Sequence, residues 1–167
     1  MDRKTVTDVF AFQRGYLSML VDDIPNERLA SPAGGIVNHP AWQIGHLAFA
    51  ADGVCEMLGG TKRLDKAWAE KYGMGSKPVA DRGAYPSKSD LLGTLDECRS
   101  RLSRQFAQAS DEMLRRPNPF GPLAAGLPTL GHAATFFMVF HEGTHLGQLA
   151  AWRKAAGMVE ALSKLGA

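Results

Sequence analysis

The positions of proline constrain this chain more than any other feature, because proline ends or bends an α-helix when it lies in the helix interior. Nine prolines lie at positions 25, 32, 40, 78, 86, 117, 119, 122 and 128. Between them they leave four long windows with apolar residues at helical spacing. These windows run to Ile24, from Pro40 to the Gly59-Gly60 pair, from about Ser87 to Ala109, and from about Thr129 to Ala156. The sequence therefore predicts four helices.

Signals for β-structure are poor. No stretch alternates apolar and polar residues for long, and no Asn-Gly or Asp-Gly turn joins two such stretches. A composition of 45% hydrophobic and 22% charged residues is ordinary for a globular domain. We therefore expect an all-α fold, a four-helix bundle that forms a single domain over residues 1–167. The long loop 59–86 contains a short predicted helix, Ala67–Tyr72, and the loop 116–128 is expected to be irregular.

Charge and cysteine content argue against several classes of protein. The net charge is +2, and the densest basic group, Arg99, Arg101 and Arg104, has acidic residues beside it. We therefore expect no nucleic-acid partner. The sequence shows no apolar run of about 18 residues and no signal peptide, so we expect no membrane association. Cys55 and Cys98 form no CxxC pair, which fits a reducing cytoplasm.

Two of the five histidines, His141 and His145, lie four residues apart in the fourth predicted helix. This spacing places two imidazoles on one helix face, and the segment HEGTH matches the HExxH pattern of zinc proteases. In that interpretation Glu142 is the general base. However, no His or Asp follows His145, and Glu160 is the only later side-chain carboxylate that could be a third ligand.

The helix face that carries these two histidines is otherwise mostly apolar. A helical wheel at about 100° per residue groups one stripe: Ala134, Phe137, Met138, His141, His145, Gln148, Leu149 and Trp152. Two imidazoles in such a setting need polar partners, and a shared metal satisfies one nitrogen of each. His46 in the second helix is the expected third ligand, and a core histidine bonded to a carbonyl is the alternative. Three neutral imidazoles favour zinc or nickel and leave room for water or substrate.

The remaining two histidines are expected to lie outside the set of metal ligands. His39 directly precedes Pro40, which places it at the cap of the second helix or at the rim of the site. His132 falls roughly 180° from His141 on the wheel of about 100° per residue, so we expect it not to share the same ion.

Several large side chains are candidates for the wall of a substrate pocket beside the metal. They are Trp42, Phe137, Met138 and Trp152. Gln148, one helical turn beyond His145, is a candidate for supporting a ligand or lining the pocket. Plain core packing is the alternative for each of the large side chains.

Two segments of the chain resemble the DinB-like superfamily. The stretch NHPAWQIGHLAFAAD, residues 38–52, has its Trp-x-x-Gly-His-Leu pattern. The stretch HEGTHLGQLAAWRK, residues 141–154, has its His-x-x-x-His-x-Gly-Gln motif followed by an Arg. The resemblance covers nearly the whole chain. It implies an up-down-down-up bundle, a metal bound by His46, His141 and His145, and often a homodimer.

Members of the resembled family include metal-dependent enzymes that use low-molecular-weight thiols, such as bacillithiol S-transferases and the mycothiol-dependent maleylpyruvate isomerase. The resemblance therefore implies a metal-dependent thiol S-transferase that acts on a small molecule. A non-catalytic metal-binding or stress-response module is the alternative from another class. A metal-dependent hydrolase with Glu142 as base is the third hypothesis.

The fourth predicted helix is also apolar on the side opposite the histidines. The residues there are Phe136, Val139, Phe140, Gly143, Leu146, Gly147 and Ala150. A helix that is apolar almost all round is expected to be covered on almost all sides. We expect a homodimer through this face, since symmetric dimers are the commonest oligomers. The alternative is that the loops 59–86 and 116–128 fold over it.

Overall fold

A computed structural model of the protein describes residues 2–166, with the side chains of residues 2–163. Within this range the regular secondary structure is helical, apart from two isolated bridges, Ala33–Ile36 and Pro117–Thr129. The α-helices are α1 (Arg3–Val21), α2 (Pro40–Met57), α3 (Lys66–Tyr72), α4 (Lys88–Gln108), α5 (Asp111–Arg115), α6 (Gly121–Ala124), α7 (Leu130–Thr135) and α8 (Glu142–Ala155). A π-helical segment, Phe136–His141, joins α7 to α8. The predicted all-α fold class is confirmed.

Short-range hydrogen bonds fix the ends of the long helices. Pro40 is the first residue of α2, and the Nδ1 atom of His39 accepts a hydrogen bond of 3.3 Å from the backbone N–H of Trp42. The predicted position of His39 at this cap is therefore confirmed. Ser87 caps α4 in the same way, and Gly157, with φ of +71°, follows the last turn of α8.

The core lies between α1, α2, α4 and α8. Helix α2 packs along α4, and α1 packs against α8 and the π-helical segment. The largest fully buried apolar side chains come from all four helices and include Leu17, Ile44, Leu102 and Trp152. This packing brings the buried face of α2 against the fourth helical window, where the histidine pair lies. The up-down-down-up order of the four long helices stays a prediction.

The fourth helical window is not one continuous α-helix, as the sequence predicted. The π-helical segment Phe136–His141 interrupts it and ends at the first histidine of the pair. A π-turn holds more residues than an α-turn, so a uniform wheel misplaces the residues around it. Phe136, which the wheel put opposite the histidines, lines a cavity together with His141.

The loop between α2 and α4 is held against α2 by buried polar contacts. The carboxylate of Asp52, which is 1% exposed, accepts hydrogen bonds from the backbone N–H groups of Arg63 and Leu64 and from the Arg101 guanidinium. The short helix predicted in this loop is confirmed as α3, Lys66–Tyr72. These contacts anchor the start of the loop on α2, and further along the loop the Tyr72 carbonyl contacts His46.

Helix α1 covers part of the face predicted to form a dimer. The Gln13 side chain donates a hydrogen bond of 2.9 Å to the carbonyl oxygen of Val139. Leu146 is 2% exposed, so it is buried within the single chain. What stays exposed on this side is a strip of residues along the fourth window: Phe140, Thr144, Gly147 and Ala151. Cover by α1 was in neither of the two sequence hypotheses.

Among the described residues, no helix combines the length and apolar character needed to cross a membrane.

Candidate metal centre

Three histidines from two parts of the fold converge in the core. His46 lies in α2, His141 ends the π-helical segment, and His145 lies one turn further on in α8. One ring nitrogen of each lies within 4.8 Å of those of the other two, and the ring centroids are 4.6–5.2 Å apart. The structure thus brings together the three histidines that the sequence singled out. Among the described residues, this group contains no carboxylate and no thiolate.

Hydrogen bonds fix which nitrogen of two rings faces the cluster. The Nδ1–H of His46 donates to the carbonyl oxygen of Tyr72 at 2.6 Å, and the Nδ1–H of His145 donates to the side-chain oxygen of Gln43 at 2.6 Å. A neutral imidazole carries one proton, so Nε2 of each ring keeps its lone pair. Histidine ligands of metals are oriented by such outer hydrogen bonds.

The contact between His46 and His141 fits a shared ion. Their Nε2 atoms lie 3.2 Å apart, and the buried Nδ1 atom of His141 has no hydrogen-bond partner. Two nitrogen ligands at about 2.05 Å from a tetrahedral zinc ion lie about 3.3 Å from each other. The spacing of this pair therefore matches two ligands of one ion, and the three imidazoles are donors that suit a divalent transition metal.

Burial keeps the three imidazoles neutral. It lowers the pKa of His141 to about 4 and the pKa of His145 to about 3, with a further contribution from the neighbouring histidines. Burial also lowers the pKa of His46, against a smaller opposing effect of the Tyr72 carbonyl. Because metal ligands must be deprotonated, these shifts prepare the cluster for a cation without loss of a proton near neutral pH.

A chain of amides holds His145 from behind. The side-chain nitrogen of Gln43 donates to the carbonyl oxygen of Asn38 and to the side-chain oxygen of Gln148, both at 3.1 Å. These two bonds orient Gln43 so that its own oxygen faces His145. Gln148, a candidate from the sequence, thus lies behind Gln43 and acts on the site through it.

The Trp-x-x-Gly-His pattern of α2 has a structural explanation. The Trp42 ring stacks on His46, with centroids 4.7 Å apart and an interplanar angle of 11°. A Cβ atom at Gly45 would lie 2.2 Å from the Tyr72 ring, so only glycine lets Tyr72 approach α2 this closely. That approach brings the Tyr72 carbonyl to His46. The pattern therefore fixes the orientation of the His46 ring.

An apolar cavity of about 410 Å³ ends at His46 and His141. Its largest lining side chains are Phe49, Met57, Met74, Phe120, Phe136 and Phe137. Among the pocket candidates from the sequence, Phe137 lines this cavity. The described lining does not include Trp42, Met138, Gln148 or Trp152. Met138 and Trp152 are fully buried, and the Trp152 indole donates to the carbonyl of Ser31.

Glu142 does not join the histidines. Its carboxylate forms an ion pair with Arg99 of α4, and the two residues are 3% and 5% exposed. Arg99 also donates to the carbonyl oxygen of Phe10 and lies over the Phe10 ring. The carboxylate that the HExxH pattern marked as a general base is thus engaged with a buried cation of a neighbouring helix.

The two remaining histidines lie apart from the cluster. His39 is fully buried, and its Nε2–H donates to the carbonyl of Val79 at 3.0 Å. His132 is exposed and contacts the Thr129 hydroxyl. Neither belongs to the described metal-ligand group, as the sequence predicted.

Sequence reasoning missed three groups at the site. Gln43 is three residues before His46, on the same face of α2, and this spacing is a signal that could have found it. The Tyr72 carbonyl and Met74 belong to the end of α3 and the loop after it, where no periodic pattern fixes the path of the chain. Their position follows from tertiary packing of that segment on α2.

A sequence profile of the DinB superfamily matches residues 10–149, which include all three clustered histidines. The chain belongs to the DinB superfamily. No curated protein matches the sequence.

Proposed function

We propose that this protein is a divalent-metal-dependent enzyme that transfers a low-molecular-weight thiol, through its sulfur, to a small molecule. His46, His141 and His145 hold the ion, which is zinc or nickel. The observation that carries the proposal is the 3.2 Å contact between the Nε2 atoms of His46 and His141. His46 and His145 also direct their Nδ1–H groups away from the cluster, toward Tyr72 and Gln43. This arrangement leaves lone pairs facing one point.

A bound divalent ion supplies Lewis-acid activation, which lowers the pKa of a thiol or water in an open coordination position. The residues of the chain account for the rest of the site. The Tyr72 carbonyl and the Gln43 side-chain oxygen accept from Nδ1–H of two rings and so orient them with Nε2 inward. The cavity beside His46 and His141 offers an apolar surface at the place where a substrate meets the site.

Superfamily membership and the three-histidine cluster are compatible with an enzyme and with a non-catalytic metal-binding or stress-response module. The cavity favours the enzyme, because it lets a small molecule reach the histidines. The ion pair of Glu142 with Arg99 argues against the metal-dependent hydrolase in which Glu142 is the base. A base engaged by a buried guanidinium has a weakened ability to take up a proton.

The proposal extends to assembly and location. The exposed strip of the fourth window, with Phe140 at 65% exposure, is proposed as the contact of a homodimer. The thiols of Cys55 and Cys98 are buried and free, which suits a reducing compartment, and we place the protein in the cytoplasm.

A turnover screen tests the proposed reaction. Zinc- or nickel-loaded protein is mixed with cysteine, glutathione, bacillithiol or mycothiol and a chlorinated nitrobenzene, and loss of free thiol is measured. In the reaction a sulfur–carbon bond forms, chloride leaves and the thiol proton passes to solvent. We expect turnover with at least one thiol, no turnover in His145→Ala, and wild-type turnover in His132→Ala. Stoichiometric metal binding without turnover for any thiol would instead support the non-catalytic module.

A further inference from the structure

The cavity beside the histidine cluster has a distinctive chemical lining. It lies between α2, the exposed Met74 after α3, the short helix α6 and the π-helical segment. None of its described lining residues is Asp, Glu, Lys or Arg. Apart from the two histidines, its side chains are aromatic, aliphatic or thioether groups.

This lining selects against charged ligands. A carboxylate or ammonium group that enters such a cavity loses hydration and finds no opposite charge in return. A hydrocarbon or aromatic group gains from the same transfer, because it leaves water for an apolar surface. The phenyl rings of Phe120 and Phe137 meet edge to face with centroids 5.6 Å apart, an arrangement that accepts a further ring beside it.

We infer that the cavity binds a neutral, largely hydrocarbon molecule, preferably one with an aromatic ring, and that the polar end of this molecule faces His46 and His141. The inference rests on the proposed function for the role of the metal, and it adds the substrate class. Any charged part of a thiol that reacts at the site stays outside the cavity. The thioethers of Met57 and Met74 add polarisable contacts to a ring.

Gly53 offers a way to fill the cavity without touching the histidines. It lines the cavity from α2, and a Cβ atom built on it meets no other atom within 4 Å. A leucine there therefore projects into open cavity space, and it suits a helix better than glycine does. Gly93 of α4 is the matched control, because it is helical and exposed, has the same open surroundings and lies outside the described cavity lining.

The test uses 19F NMR titrations of the full chain, metal-free and zinc-loaded, near neutral pH. 4-Fluorotoluene probes the cavity alone, and 4-fluorobenzoate has a similar shape with one negative charge. We expect 4-fluorotoluene to bind both forms of the wild type and Gly93→Leu, and to lose binding in Gly53→Leu. We expect the metal-free protein to show no binding of 4-fluorobenzoate. Circular dichroism checks that both variants are folded.

Three results would overturn the inference. They are equal binding of both probes by the metal-free wild type, unchanged binding of 4-fluorotoluene by Gly53→Leu, and no binding of 4-fluorotoluene by either form of the wild type. A separate probe, 4-fluorophenylmethanethiol, reports on the proposed function. If it binds the zinc-loaded protein no tighter than the metal-free protein, the metal–thiol proposal fails while the cavity inference stands on 4-fluorotoluene.

Discussion

The Nε2 atom of His46 lies 3.2 Å from the Nε2 atom of His141, although the two residues are 95 positions apart in the chain. The single proton of the neutral His46 ring is on Nδ1, where it is donated to Tyr72. A lone pair of His46 therefore faces a second imidazole inside the core. In the metal-free protein the Nε2–H of a neutral His141 satisfies this contact, and a bound cation replaces that proton.

The support of His145 by Gln43 predicts a loss of metal affinity when that support is removed. Gln43→Leu leaves the Nδ1–H of His145 without an acceptor, so we expect zinc affinity to fall about 10–100-fold. Competition with a chromophoric chelator measures this affinity. Gln148→Leu is the control, because Gln148 contacts Gln43 and not the ring, and its effect is expected to be smaller. Equal zinc affinities of wild type and Gln43→Leu would show that Gln43 does not support metal binding by His145.

The buried imidazoles predict a pH dependence of the metal-free protein. Burial lowers the pKa of His141 to about 4 and of His145 to about 3, whereas the unfolded chain titrates near 6.5. Between these values the unfolded state binds more protons. The free energy of unfolding should therefore fall as the pH drops from about 6.5 toward about 4, and these groups should have no effect above about 6.5.

Urea unfolding at about pH 7.5, 6 and 5 checks this dependence. A double variant, His141→Gln with His145→Gln, removes both titrating rings and keeps the other ionisable groups of the protein. Its stability should change less with pH than that of the wild type. The same pH slope in both proteins would contradict the assignment.

The ion pair of Glu142 and Arg99 predicts a structural role for the glutamate. Glu142→Gln leaves a guanidinium in the core without its counter-charge, so we expect the free energy of unfolding to fall by about 3–5 kcal/mol. The double variant Arg99→Met with Glu142→Leu should recover most of that loss, as apolar replacements of buried pairs often do. Chemical denaturation measures both. If Glu142→Gln instead keeps wild-type stability and loses turnover, the result would support Glu142 as a general base.

The exposed strip of the fourth window predicts a dimer that one substitution can dissociate. Light scattering at micromolar concentration should give the mass of two 18.0 kDa chains. Gly147→Glu places a charge on this strip, where a Cβ atom meets no other atom within 4 Å, and should give monomers that still bind metal. Gly93→Glu, on exposed α4 surface, should stay dimeric. A monomeric wild type would reject this interface.

Much of the fold and of the histidine cluster could be predicted from the sequence, because local rules decide both. Prolines and caps set the windows, and the spacing of His141 and His145 sets a shared face. The π-helical segment could not be predicted, since no residue in Phe136–His141 marks the extra residue in the turn. The cavity wall depends on that segment and on the packing of Met74, so only Phe137 of its wall was foreseen.

The metal content of the reconstituted protein tests the central claim most directly. Metal-free protein is loaded with zinc or with nickel and desalted, and its metal content is measured by elemental mass spectrometry. His132→Ala is the control that keeps the cluster intact. We predict about one ion per chain in wild type and His132→Ala, and almost none in His46→Ala, His141→Ala or His145→Ala. A folded wild type that retains no zinc or nickel, or folded cluster variants that retain a full equivalent, would contradict the account.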